Sequence, residues 1–331
     1  MGIRLAIVAL SCLIGSVGAP GRLHAEADTL RAAKQFGLAY IQYTIMEERR
    51  LIEKHAKAAG LGDIKVEWPQ FRGADVMNDA LISGTVDFIS LGIPGLLTIW
   101  DRSKGLIDVK GVAGLNALPY TLMVRDDGIK SIADFTEKHR IAVPAVKVSM
   151  QAILLQMAAE KAFGVGNHAK LDPFTVTMSH PDGTIAMISG NTDVTAHFTT
   201  LPFIARQAKS PGIRPILTGN DLMGGPYSFN VIAATSKFRT ENPKLYKAFL
   251  DALNEATELV NTDRKAAAEI YIKIAKDKSS VEDLVALLDI PGNQFTTKVL
   301  SIAPMVDFMV RTGNFKNKPA SIKDLLFPEA Q

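Results

Sequence analysis

Ser149 holds the clearest chemical position in the chain. It follows the apolar stretch Ile141–Val143 and a short loop, and it opens Ser149–Phe163, a run that reads as a strong helix. A serine there is a good N-cap. The positions after it, Met150, Gln151 and Ala152, present backbone N–H groups that attract an anion. Lys147 stands nearby in sequence and adds charge. Thr199 and Thr200 offer hydroxyls at the start of another predicted helix, Leu201–Ala208, which carries Phe203; His197 is a lone histidine at the end of the strand before it. Ser90, Gly92 and Pro94 end a strand and open a helix, where glycine lets a ligand approach the backbone and proline suits the first helical position. Tyr40, Gln42 and Tyr43 sit in a loop after the first strand, and Tyr227 sits in the turn-rich stretch Gly219–Tyr227. These residue types supply hydrogen bonds and aromatic walls. That is binding chemistry, suited to an oxyanion with an organic body, although no arginine stands in these loops to clamp it.

Covalent and metal chemistry find little support. The one cysteine, Cys12, lies near the start of the chain, so the remainder has no thiol nucleophile, disulfide or thiolate ligand. His55, His139, His168 and His180 have no metal-ligand spacing. His180-Pro181-Asp182 reads as a turn and helix start. No G-x-S-x-G elbow occurs. Asp87 reads as a structural carboxylate at the start of a strand. Glu47–Arg50 and Lys273–Lys278 read as solvated helix faces. No cofactor and no metal are expected.

The first 27 residues read as a secretory signal. Arg4 is followed by the uncharged run Leu5–Ala19 and then by small residues, with cleavage expected after Ala25 or Ala27. The run is short for a membrane span, which needs about 20 apolar residues. Removing residues 1–25 takes away Arg4 and Arg22, so the 37 basic residues fall to 35 against 34 acidic ones. That near-neutral balance argues against nucleic acid and against a polybasic membrane surface.

Elements must hold the candidate residues together. Short apolar runs alternate with helical patterns: Leu30–Leu38 as a strand, Thr44–Ala59 as one helix, then Ile64–Trp68, Ala74–Ser83 and Val86–Leu91. This order implies parallel βαβ units. Pro119 marks one chain crossing and Gly219–Tyr227 a return. Two lobes follow, 28–118 plus 225–331 and 119–224, with a cleft between them. Beyond Thr235 the chain reads as almost wholly helical: Asn242 is an N-cap before Pro243, and Thr297–Val310 is a late helix.

Three stretches carry a family resemblance: Ala80-Leu81-Ile82-Ser83-Gly84-Thr85-Val86-Asp87, Ile141–Ser149, and the helix from Asn242-Pro243-Lys244-Leu245 to Phe249. With the leader and the strand order, they make the chain resemble the solute-binding proteins of ABC importers, in the nitrate/sulfonate/taurine-type branch. The resemblance implies an α/β, two-lobed type II periplasmic-binding-protein fold with a central ligand cleft and a helical C-terminal region. It further implies a periplasmic, monomeric, non-enzymatic protein that delivers a small organic anion to a permease and its ATPase subunits. Two alternatives share the fold class: a thiamine-precursor (pyrimidine) synthase-like enzyme, and a ligand receptor that reports to a sensor.

Overall fold

The computed structural model describes residues 25–314 and 316–330; most of the expected signal segment, residues 1–24, lies outside the described residues. In chain order the first run comprises β1 (Thr29–Ala33), α1 (Ile41–Glu48), α2 (Leu51–Ala58), β2 (Lys65–Glu67), α3 (Ala74–Ile82), β3 (Phe88–Leu91), α4 (Ile93–Ser103) and β4 (Val109–Ala117). The next comprises β5 (Thr121–Val124), β6 (Arg140–Val143), α5 (Met150–Phe163), β7 (Thr175–Thr177), α6 (His180–Ser189), β8 (Val194–Thr199), α7 (Phe203–Ala208), β9 (Arg214–Thr218) and α8 (Gly219–Met223). The last comprises β10 (Asn230–Thr235), α9 (Ser236–Glu241), α10 (Pro243–Thr262), α11 (Arg264–Ala275), α12 (Val281–Leu288), β11 (Gln294–Phe295) and α13 (Ala303–Arg311).

The strands form two sheets, one per lobe. A 6-stranded sheet has the order β11-β4-β10-β3-β1-β2, and a 5-stranded sheet has the order β7-β6-β8-β5-β9. β1 runs parallel to β2 and β3, while β10 is antiparallel to both β3 and β4. Every residue of β3 is buried, because helices cover both faces of the sheet. Phe88 of β3 stacks on Phe249 of α10 with ring centroids 3.9 Å apart. Leu245, Phe249, Leu253, Ala256 and Val260 give α10 its buried face, as their helical spacing predicts. Each such large side chain contributes roughly 1.5–3 kcal/mol by leaving water.

Several expected elements are altered by local geometry. The first strand stops at Ala33, and Leu38–Tyr40 is a 3-10 turn. The single helix expected over Thr44–Ala59 breaks into α1 and α2, where Arg50 takes a left-handed conformation with φ 51. The helix expected over Thr297–Val310 starts only at Ala303 and runs to Arg311. Asn242 does not cap α10 with its side chain. Its Oδ1 accepts from Ala27 N at 2.7 Å, and the Glu26 carboxylate accepts from Lys244 N (3.1 Å) and Leu245 N (2.8 Å) instead. The charge runs expected as solvated faces are partly paired: Glu47 binds Lys34, Lys273 binds Glu48, and Asp277 binds Arg206 in the other lobe.

Candidate functional site

The lobes touch through backbone and small residues beside the cleft, and through the ion pairs Arg206–Asp277, Lys209–Asp283 and Arg311–Glu160. Leu38 N donates to Leu201 O at 2.9 Å across the cleft. A Cβ at Gly92 would lie 2.7 Å from Met150 Cβ, and one at Gly73 would lie 2.6 Å from Pro144 O. Glycine at these two positions therefore sets how closely the lobes approach. Between them is a small cavity of about 20 Å³. Its floor is formed where the chain crosses between lobes: Tyr120 and Phe229 stack there with centroids 3.8 Å apart.

Four helix starts converge on this cavity. Ala74 begins α3, Gly92 is the N-cap of α4, Ser149 to Gln151 open α5, and His180 begins α6. Each follows the end of a strand, so the alternating strand–helix order brings them to one edge of each sheet. Their N–H groups and dipoles make the cavity electropositive without any cation. Among the described residues, those lining it include no Lys, Arg, Asp or Glu. Burial pushes the His180 imidazole down to about 3, so it is neutral at ordinary pH. Burial also raises the Tyr40 hydroxyl above its usual range, with the Asn230 side chain pulling weakly the other way.

Unpartnered polar atoms point to a ligand in the same place. Thr200 is 1% exposed and Asn230 is 2% exposed, and both line the cavity. Thr200 Oγ1 has no hydrogen-bond partner in the fold, and Asn230 Nδ2 makes no bond of full geometry, although Tyr40 stands beside it. A buried donor left unmet costs about 1–3 kcal/mol, a cost that an acceptor in the cavity would remove.

The expected site residues divide into four groups. Tyr40, Gly92, Ser149, Gln151 and Thr200 line the cavity. Ser90 and Thr199 stand just behind it: the Ser90 carbonyl accepts from Tyr40 Oη at 3.2 Å, and Thr199 Oγ1 lies 3.1 Å from His180 Nδ1. Gln42, Tyr43, Pro94 and Tyr227 are buried in the fold away from it. The Gln42 amide donates to Leu115 O, and Tyr43 packs against Trp68 and Phe249. Pro94 sits in the first turn of α4, and Tyr227 fills the space that Gly219 leaves, where a Cβ would lie 2.0 Å from its Oη. Phe203 stacks on His180 and faces a larger, outer cavity that also holds Arg206 and Asp277. Lys147 does not line the inner cavity.

Sequence reasoning missed His180, Asn230, Tyr120 and Phe229. His180 does start a helix, as its Pro181-Asp182 neighbours predict, but its ring also lines the cavity. His197 is not alone: its Nε2 lies 3.3 Å from His180 Nδ1. The signal available for Tyr120, Phe229 and Asn230 was their place at the two chain crossings. Asp87 is remote from the cavity and accepts from Arg31 N at 2.8 Å, while its carboxylate pairs with the Arg31 guanidinium at 3.1 Å. Among the described residues, no group of His, Cys, Asp and Glu could hold a metal, and no helix is long and apolar enough to cross a membrane.

Known structures share this architecture. The alkanesulfonate-binding protein of Xanthomonas axonopodis pv. citri, solved bound to MOPS, is similar with a TM-score of 0.69 and 18% identity, over 89% of this chain and 96% of that one. The periplasmic aliphatic sulphonate-binding protein of Escherichia coli is similar at 0.65 and 20%, over 91% and 98%. The periplasmic nitrate-binding protein of Synechocystis PCC 6803 is similar at 0.62 and 15%, over 80% and 70%. Comparison with curated protein sequences finds no match. The family model described as "NMT1/THI5 like" matches residues 73–267, a span that holds the whole 5-stranded sheet, three strands of the 6-stranded one and all four helix starts, and the chain belongs to that family.

Proposed function

We propose that this chain is an exported solute-binding protein that closes two lobes over a small organic anion and delivers it, unchanged, to an ABC importer. The observation that carries the reading is the meeting of four helix starts with buried, unpartnered donors in one enclosed cavity between the lobes. The sulfonate- and nitrate-binding proteins of the same fold support it. The moving bodies are 28–118 with 225–331, and 119–224, hinged where Tyr120 and Phe229 cross. A solute touching both lobes gains contacts only in the closed form and so draws the protein into it. Tyr40, Gly92, Ser149, Gln151 and Thr200, with His180 and Asn230, form the ligand set. The aromatic rings receive the organic body and the helix starts receive the charged head. The protein acts as a monomer in the periplasm, after loss of its leader, and a permease with its ATPase supplies the energy.

A thermal-shift panel of ethanesulfonate, taurine, benzoate, nitrate, bicarbonate and a neutral aminopyrimidine tests this. An anion at 100 times its dissociation constant stabilises by about 2.7 kcal/mol. A response to the neutral compound alone overturns the anion reading. Mass spectrometry of the recovered solute must show it unaltered; a changed product points instead to the synthase-like alternative.

A further inference from the structure

A chain of buried side-chain hydrogen bonds runs from α7 to the cavity, and its direction is set at the far end. Thr184 Oγ1 donates its hydrogen to the His180 carbonyl at 2.8 Å, so toward other groups it accepts. The group facing it at 3.1 Å is the Gln207 amide nitrogen. That nitrogen also lies 2.8 Å from His197 Nδ1, which must therefore be an acceptor without a proton. In a neutral imidazole the proton then sits on Nε2. His197 Nε2 lies 3.3 Å from His180 Nδ1, so that nitrogen accepts in turn, sharing its lone pair with the Thr199 hydroxyl at 3.1 Å. The His180 proton is left on Nε2, facing the Gln151 carboxamide at 3.1 Å. In the structure the carboxamide nitrogen faces this N–H. Two donors cannot bond each other, and a half-turn of the carboxamide exchanges its nitrogen for its oxygen. Burial holds both rings neutral, with the neighbouring His180 adding to the effect at His197, so neither ring can donate from both nitrogens. Gly183 makes room for the pairing: a Cβ there would lie 2.8 Å from the His197 ring.

We propose that Thr184 and Gln207 orient this relay so that Gln151 presents its amide N–H to the cavity, making it, with Asn230 and Thr200, part of a donor-rich lining selective for the oxyanion head of a sulfonate or carboxylate. Gln207 and His197 are positioning residues, His180 relays the proton while its ring walls the cavity, and Gln151 is the polar contact. The ligand class rests on the solute-binding reading; the proton positions do not.

Two measurements separate these. Long-range 15N–1H correlation spectra of histidine-labelled protein without ligand report which ring nitrogen is protonated. Both His180 and His197 are expected as Nε2–H tautomers, unchanged from pH 6 to 8. An Nδ1–H tautomer at either ring overturns the proposal. Gln207→Glu replaces the terminal donor with an acceptor and should move the proton of both rings to Nδ1. It should also weaken ethanesulfonate binding at least tenfold by calorimetry, although residue 207 touches no ligand. An unchanged dissociation constant in a variant with reversed tautomers overturns the selectivity role. Gln151→Glu, which cannot donate from that position, should show the same loss and serves if the Gln207 variant does not fold. If wild type shows the expected tautomers yet binds no sulfonate or carboxylate, the relay stands and the solute reading fails.

Discussion

Ser149 holds two roles that measurement can separate from that of Asp87. Its Oγ accepts from Ala152 N at 3.3 Å, capping α5, and the residue lines the cavity. Ser149→Ala should lower stability by about 1 kcal/mol through loss of the cap and should also weaken anion binding by calorimetry. Asp87→Ala should cost roughly 1–3 kcal/mol in denaturant unfolding and leave the dissociation constant unchanged, because Asp87 serves only Arg31. An unaltered affinity in Ser149→Ala would remove the site from α5. The cap was legible because it is local: a hydroxyl and an N–H three residues apart. His180 was not legible as part of a pair, because His197 reaches it from β8, and nothing within the 17-residue separation marks the contact. Gln42 and Tyr43 misled for the related reason that a polar or aromatic type does not reveal which way it faces. The Gln42 amide turned inward to the Leu115 carbonyl of β4.

At the level of elements, strand and helix order was readable from hydrophobic period, and the ends were set by tertiary partners. The break at Arg50 has no glycine or proline to announce it. The start of α10 shows the same principle. Asn242 has the residue type of a cap, yet the free N–H groups of Lys244 and Leu245 are met by Glu26 from the far end of the sequence. A carboxylate there also faces the positive end of the helix dipole. In protein that begins at Glu26, Glu26→Ala should therefore lower stability by about 1 kcal/mol, read as a reduced midpoint in urea. No change in midpoint would show the contact to be idle.

Across the whole molecule, closure depends on how near the lobes can come. Gly92 has φ −68, which alanine adopts freely, so the nearest obstacle to a side chain there is Met150 in the other lobe. Gly92→Ala should keep each lobe folded while holding them apart: the scattering radius should stay at its ligand-free value when ethanesulfonate is added. Closure in that variant as in wild type would contradict the contact. Arg206 and Asp277 make an ion pair between the lobes. Burial alone would raise the Asp277 carboxyl, but hydrogen bonds from Ser279 and the Arg206 guanidinium outweigh it and hold its pKa below the ordinary value. The part owed to Arg206 favours closure fully above the ordinary carboxylate range and is lost as pH falls through the lowered value. Affinity should be flat from pH 8 to 5 and decline below about pH 4, and Asp277→Asn should reduce that acid limb, the rest coming from Glu160, whose pKa Arg311 of the other lobe also lowers. The topology has one more consequence. All five strands of the second sheet lie upstream of Asn230, whereas β10, which separates β3 from β4, arrives only with residues 230–235. During synthesis from the amino end, the middle of the chain has every partner it needs while the earlier part still carries an open slot in its sheet; a polypeptide cut short before that strand has two facing, unsatisfied edges and no means of joining them.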